Sequence, residues 1–227
     1  MPQQSLNIGV LGGTGAEGSG LAFRWAAAGH RVVIGSRDVS RAEAAAAELN
    51  TLLGADKVRG ADNHTAAAGC EVAVLTVPYA AQQRTATDVA DALQGKVLID
   101  VTVPLMPPKV SVAQLPEGGS AVVALQRALG AAVRVVSAFQ NISAHNLKDR
   151  NHQIDCDVLV CSDDVNAAEV AIALAADAGL RGWYAGPLAN SVVSEALTSV
   201  LIGINRRYKV RAAGIRIVGV PDPVGTR

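Results

Sequence analysis

The chain has 227 residues, room for one large domain or a medium domain with a small partner, and carries 20 Lys plus Arg against 20 Asp plus Glu. Zero formal net charge argues against a uniformly basic nucleic-acid binder, and 50% hydrophobic with 18% charged residues excludes a mainly disordered chain. Seven aromatic residues against 41 Ala and 22 Gly suit helices packed closely on a sheet, and not a surface built on aromatic stacking.

In chain order, short apolar runs alternate with longer Ala-rich segments. Strands are predicted at Asn7–Leu11, Val32–Gly35, Val58–Gly60, Val72–Thr76, Val97–Val101 and Val133–Ala138. Most are β-branched and lack strict alternation, as strands covered on both faces do. Helices are predicted between them at Glu17–Ala28, Ser40–Leu53, Ala80–Leu93 and Ser120–Leu129, with Gly29 and Gly54 as stops. This alternation reads as a Rossmann-type, doubly wound parallel α/β domain over residues 1–150. The Pro-rich stretch Thr102–Gly119 is a site-bordering loop or a plain connection. Residues 151–227 read as a smaller C-terminal domain: strand Val158–Cys161, helix Val165–Ala178 behind Asp163–Asp164, strand Arg181–Ala185, and a long apolar helix near Asn190–Asn205. That helix is apolar on more than one side, so it is buried in the domain or at a homodimer interface.

Cys70, Cys156 and Cys161 lack CxxC spacing and read as buried, reduced thiols. The N-terminal MPQQSLNIGVLGG has no basic region before its apolar run, and no uninterrupted apolar stretch of membrane-spanning length occurs. The expectation is a soluble, cytoplasmic protein.

The strongest chemical signal is Gly13-Thr14-Gly15-Ala16-Glu17-Gly18, a G-x-G-x-x-G placed between a predicted strand and helix. Its glycines allow a tight turn and let the backbone approach a pyrophosphate, at which the first helical N–H groups point. An NAD site would end the second strand on a carboxylate. Here that strand ends Ile34-Gly35-Ser36-Arg37, with Arg41 one helical turn on, which suits the 2′-phosphate of NADP. Asp38 is discordant unless it caps the following helix.

Acid–base apparatus is not visible. There is no Tyr-x-x-x-Lys pair and no His pair with metal-ligand spacing; His30 reads as structural, and His145 could line the site. One explanation is a second substrate that is itself a redox ring, so that hydride passes directly between two cofactors.

These residues resemble a known family. NIGVLGGTGAEGSGLAFRWAAAGHRVVIGSR is similar to the opening of F420-dependent NADP reductases, and the likeness continues through AVLTVPYAA, VVSAFQNISAH, DVLVCSDD and AGPLANSVVSEALTSVLIGIN. The resemblance implies hydride exchange between NADP(H) and coenzyme F420, an 8-hydroxy-5-deazaflavin, in a cleft between a dinucleotide domain and a small C-terminal domain. It implies that Gly13, Thr14, Gly15, Ala16 and Glu17 line the pyrophosphate and that Ser36, Arg37 and Arg41 hold the 2′-phosphate. Val77, Pro78, Tyr79 and Gln83 would border the nicotinamide, and Ala144 would approach it. Gln140 and Asn141 are candidates for polarising the deazaflavin, Gln140 through a carbonyl edge of the ring. Gln140 stands where some members have His, Ser143 where some have Pro, and Cys161-Ser162-Asp163-Asp164 replaces the usual CGDD. No residue is assigned as catalytic and no metal is expected. Arg206, Arg207, Lys209, Arg211 and Arg216 form a basic stretch that would attract the anionic F420 tail or simply sit as a solvated helix end. Two alternatives stay open: an NADPH-dependent reductase of a small imine, keto group or metal ion, and a non-enzymatic NADP-binding sensor.

Overall fold

The structure is a computed structural model and describes residues 5–221; the first four residues and the last six of the C-terminal segment lie outside it. Six strands, β1 (Asn7–Leu11), β2 (Arg31–Ser36), β3 (Val58–Asp62), β4 (Val72–Leu75), β5 (Val97–Asp100) and β6 (Arg134–Ser137), pair in parallel in the order β3-β2-β1-β4-β5-β6. The order reverses between β1 and β4, which opens a crevice at their C-terminal ends. β4 and β5 are buried at every position, which accounts for their unalternating apolar sequence.

Period-two geometry sends alternate side chains to the two faces. On one face Ile8, Val10, Val32, Ile34, Val74, Ile99 and Val136 meet Leu21 and Trp25 of α1 (Ala16–Ala28) and Ala42, Ala46 and Leu49 of α2 (Val39–Leu53). On the other, Leu11, Ala73, Leu75, Leu98 and Val135 meet α3 (Asn63–Ala68), α4 (Tyr79–Thr87) and α5 (Ala121–Leu129). Alanine on the inner helix faces permits this close approach.

Beyond β6 the chain adds a two-stranded parallel sheet, β7 (Asp157–Val160) and β8 (Arg181–Tyr184), connected through α6 (Val165–Asp177), and ends on α7 (Ser191–Tyr208). β6 and the residue after β7 are joined by the antiparallel bridge Ser137–Cys161. The inner face of α6 (Ala167, Ala168, Ala171, Leu174) belongs to the same apolar cluster as α1 and α2. Trp25 fixes that packing: its Nε1 donates to the Leu174 carbonyl at 2.8 Å, and its ring meets Phe139 edge-on at 5.8 Å.

Two differences from the sequence reading have local causes. The helix expected over Ala80–Leu93 closes at Thr87. Thr87 Oγ1 bonds back to the Gln83 and Arg84 carbonyls, and beyond it the bonds shorten to i→i+3 steps from Val89 to Ala86 and from Leu93 to Ala90. The tighter winding still buries Val89 and Leu93. Helix α3 has only six residues, less than two turns and too short for an apolar repeat to show, although Asp62 caps it by accepting from Thr65 N and Thr65 Oγ1.

The stretch Leu188–Tyr208 is the one helical segment among the described residues that is long and apolar enough, by length and composition, to cross a membrane. Its inward face is hydrogen-bonded into the protein. Glu195, 1% exposed, accepts from Ser120 Oγ (2.6 Å) and Ala121 N (2.8 Å), capping α5, and Thr198 Oγ1 donates to the Gln140 carbonyl at 2.7 Å. These bonds make α7 an integral layer of the fold.

Candidate functional site

The turn between β1 and α1 is shaped by what its glycines leave out. Gly12 has φ +72°, and a Cβ there would meet Val77 Cγ1 at 2.2 Å. A Cβ on Gly18 would meet Thr76 Oγ1 at 2.4 Å and Gly13 Cα at 2.8 Å, so α1 could not approach β4. Gly15, by contrast, faces open space. It is the N-cap of α1 and offers no side-chain cap, and the first intrahelical bond runs from Ser19 N to Gly15 O. The amides of the first turn are therefore presented to whatever enters beside Gly15. Asn63, which the sequence reading missed, braces the turn by accepting from Gly12 N through Oδ1. Its signal lay in α3, 51 residues away, and not in the glycine motif.

Ser36 ends β2 beside this turn. Its Oγ accepts from Asp38 N at 3.1 Å, and Asp38 caps α2 by accepting from Arg41 N at 3.3 Å. The acid that looked discordant is thus a helix cap. Hydrogen bonds from Ser40 and Arg41 hold its carboxyl below the usual carboxylate range. Arg37 and Arg41 are exposed and form no ion pair among the described residues.

After β4 come Val77, part-buried behind Gly12, then Pro78 as the N-cap of α4 and Tyr79 in its first turn. Gln83 is exposed on α4. Its neighbour Gln82 is buried and donates through Nε2 to Oδ2 of Asp100 at the end of β5. Asp100 is wholly buried and also accepts from Thr102 N at 2.9 Å. Burial pushes its carboxyl up to about 6, with the nearby Glu195 carboxylate adding to the rise.

After β6, Phe139 takes φ +71° and turns Gln140 and Asn141 inward, where both are 3% exposed. The Gln140 amide donates to the Asp100 carbonyl (2.7 Å) and to Ser137 Oγ (2.8 Å). That spends the donor that a deazaflavin carbonyl would need, and leaves Oε1 as a sealed acceptor without a partner. Asn141 is arranged alike: Nδ2 donates to the Asp157 carbonyl at 2.7 Å and Oδ1 is orphaned. Ala144, part-buried, begins a single 3₁₀ turn (Ala144–Asn146), while His145 is exposed.

Among the described residues three buried side-chain atoms lack a hydrogen-bond partner: Glu17 Oε1, Gln140 Oε1 and Asn141 Oδ1. Orphaned buried polar atoms are rare in folded proteins and cost about 1–3 kcal/mol each.

The basic C-terminal stretch is divided. Arg206 donates to Ser111 Oγ, Arg216 pairs with Asp155 at 2.8 Å, and the Arg211 carbonyl accepts from Ser143 Oγ. The chain there passes directly beside the Ser143–Ala144 turn. His30 is structural: its Nδ1 accepts from Leu6 N and its Nε2 meets Asp177 at 2.9 Å. The three cysteines are free and buried, and burial pushes the Cys161 thiol up to about 11. No metal-holding cluster of His, Cys, Asp and Glu occurs among the described residues.

Comparison with known proteins agrees with this geometry. The family model described as NADP oxidoreductase, coenzyme F420-dependent, matches residues 7–104. A chain named F420-dependent NADP reductase from Methanothermobacter thermautotrophicus is 43% identical over 224 residues, covering 96% of this chain and 97% of the relative. Another of that name from Methanocaldococcus jannaschii is 36% identical over 223 residues, covering 95% and 99%. A crystal structure of a provisional F420-dependent NADP-reductase from Arthrobacter sp. FB24 superposes with a TM-score of 0.77 at 28% identity, covering 94% of this chain and all of that one. A match of this extent, running through the glycine turn and on to α7, means that the chain belongs to the F420-dependent NADP reductase family.

Proposed function

We propose that this protein is an oxidoreductase that transfers a hydride between NADP(H) and coenzyme F420. The observation that carries the reading is the correspondence along nearly the whole chain with relatives named for that reaction. The residues present fit both groups. The uncapped first turn of α1, with open space beside Gly15, suits the pyrophosphate, so Gly13, Thr14, Gly15, Ala16 and Glu17 would surround it. Ser36, Arg37 and Arg41 would hold the 2′-phosphate through one hydroxyl and two uncommitted guanidinium groups. Val77, Pro78, Tyr79 and Gln83 would border the nicotinamide side.

When bound, the nicotinamide and the deazaflavin supply the hydride donor and acceptor. The protein's part is to bind, orient and exclude water. Gln140 and Asn141, whose amide nitrogens are fixed to the Asp100 and Asp157 carbonyls, would hold the turn that leads to Ala144. Ala144 would leave room for two flat rings in contact. No side chain is assigned as an acid or base, and the proton exchanged at the deazaflavin would pass to or from solvent. Asp100 is held behind Gln140 by Gln82 and Thr102, and it positions that segment.

The decisive assay mixes purified protein, NADPH and oxidised F420 and follows the deazaflavin's visible absorbance. Loss of absorbance is expected; an unchanged spectrum would overturn the reading.

The protein is further proposed to be cytoplasmic and homodimeric. Val193, Val200 and Ile204 are exposed along one side of α7 at 60%, 52% and 37%, beside a loop that exposes Val112 at 55%. A second copy covering this stripe would remove it from water.

A further inference from the structure

In NADP a single ribose carries two of the groups placed above: the 2′-phosphate and, on its 5′-oxygen, the pyrophosphate. The two regions proposed to hold them are neighbours in the sheet. The glycine turn leaves β1, Ser36 ends β2, and Gly13 N donates to the Gly35 carbonyl at 3.1 Å, tying one to the other. A ribose that reaches both lies across the ends of β1 and β2.

The side chain at that place is Asn63. β3 pairs with β2 so that Ser36 faces Asp62, which puts Asn63 one residue beyond the tip of β2. From there it reaches over the end of β2 to the turn, where Oδ1 accepts from Gly12 N at 3.2 Å. Gly35 leaves the space for this reach, since a Cβ there would meet Asn63 Oδ1 at 2.7 Å and Asn63 Cα at 3.1 Å. A bond from an N–H fixes which way the amide is turned, because only its oxygen can accept. Nδ2 keeps its hydrogens: it bonds to no group among the described residues, and it is not sealed from solvent. The polar neighbours are committed elsewhere. Asp62 accepts from Thr65 N and Thr65 Oγ1, and His64 meets Asp91 at 2.9 Å.

We propose that Asn63 is a binding residue for the adenosine ribose of NADP(H): Oδ1 holds the glycine turn while Nδ2 donates to an oxygen of the sugar, its 3′-hydroxyl or the adjoining 2′-phosphate. An NAD site grips this sugar with a carboxylate at the tip of the second strand. Here that tip is Ser36, and the neighbouring strand supplies an amide. A neutral donor suits a sugar that bears a phosphate, which a carboxylate would repel. The inference rests on the NADP reading above and adds a contact contained neither in the glycine motif nor in the Ser36–Arg37 ending.

Two fragments of the nucleotide separate this contact from the brace on Gly12. 2′,5′-ADP carries both phosphates, whereas 2′-AMP keeps the ribose and its 2′-phosphate but has nothing for the glycine turn to hold. Calorimetry gives Kd for the first directly and for the second by competition. Asn63→Ala removes the donor and should weaken both fragments about tenfold, as loss of one hydrogen bond does. Asn63→Asp keeps the acceptor for Gly12 N and loses the donor, so it should fold as wild type does and weaken 2′-AMP at least as far. Wild-type affinity for 2′-AMP in either folded variant would mean that Asn63 only braces the turn, overturning the inference and leaving the NADP reading in place. Failure of the wild-type protein to bind either fragment would remove both.

Discussion

Asp100→Asn is the substitution whose effect can be worked out most fully. The carboxyl is wholly buried, accepts from Gln82 and Thr102, and lies near Glu195, and its folded value of about 6 stands above the ordinary 3.8. Between these two values the folded protein binds more protons at this site than the unfolded chain does. Stability therefore falls as pH rises through that window and levels off above it. A shift of this size corresponds to about 3 kcal/mol. Asparagine never ionises, so the variant should escape this loss, whatever constant offset it incurs when its amide meets Gln82. Urea unfolding of both proteins at pH 4, 5, 6 and 7.5 reads the effect, because titrating groups that do not interact with Asp100 cancel in the difference. The difference should move by about 3 kcal/mol in favour of Asp100→Asn between the extremes, most of it between pH 4 and 6. Parallel profiles would refute the argument, since they would mean that Asp100 titrates alike in both states.

Other outcomes follow from the same geometry. Ser36→Ala with Arg37→Ala should raise KM for NADPH about a hundredfold while leaving NADH nearly unchanged; an unaltered preference in steady-state kinetics would discard the 2′-phosphate assignment. Gly60→Ala would put a Cβ 2.2 Å from Glu43 N and 2.4 Å from Ala42 C, both rigid backbone of α2. It should cost about 3 kcal/mol, read as a fall of roughly 5–10 °C in Tm by calorimetry. Val200→Asp should convert a dimer to a monomer in size-exclusion chromatography with light scattering. A wild-type protein already monomeric at micromolar concentration would dismiss the α7 interface.

What the sequence revealed was local. Gly13, Gly15 and Gly18 lie within six residues, and their spacing encodes a turn whose shape needs no distant partner. Ser36, Arg37 and Arg41 follow from where one strand stops. What it concealed depends on residues far apart in the chain. Glu195 looks like an isolated acid in an apolar helix, and only folding brings it to the start of α5, 74 residues earlier, as a cap. Asn63 braces Gly12 across 51 residues. Gln82 and Gln83 are indistinguishable by type, and helix phase decides which one meets Asp100. The Gln140 amide was expected to serve a ring carbonyl. The folded chain consumes that donor at the Asp100 carbonyl and Ser137 and leaves an acceptor instead.

The grip of Arg24 has a mechanical consequence. One guanidinium on the nucleotide helix holds four carbonyls between residues 146 and 152, and the neighbouring Trp25 is bonded to α6. The helix that would cradle one cofactor and the turn that would approach the other are thereby bolted together. The spacing between α1 and the turn at Ala144 is tied to the folded core. Loosening Arg24 would blur the distance between two rings without touching either of them.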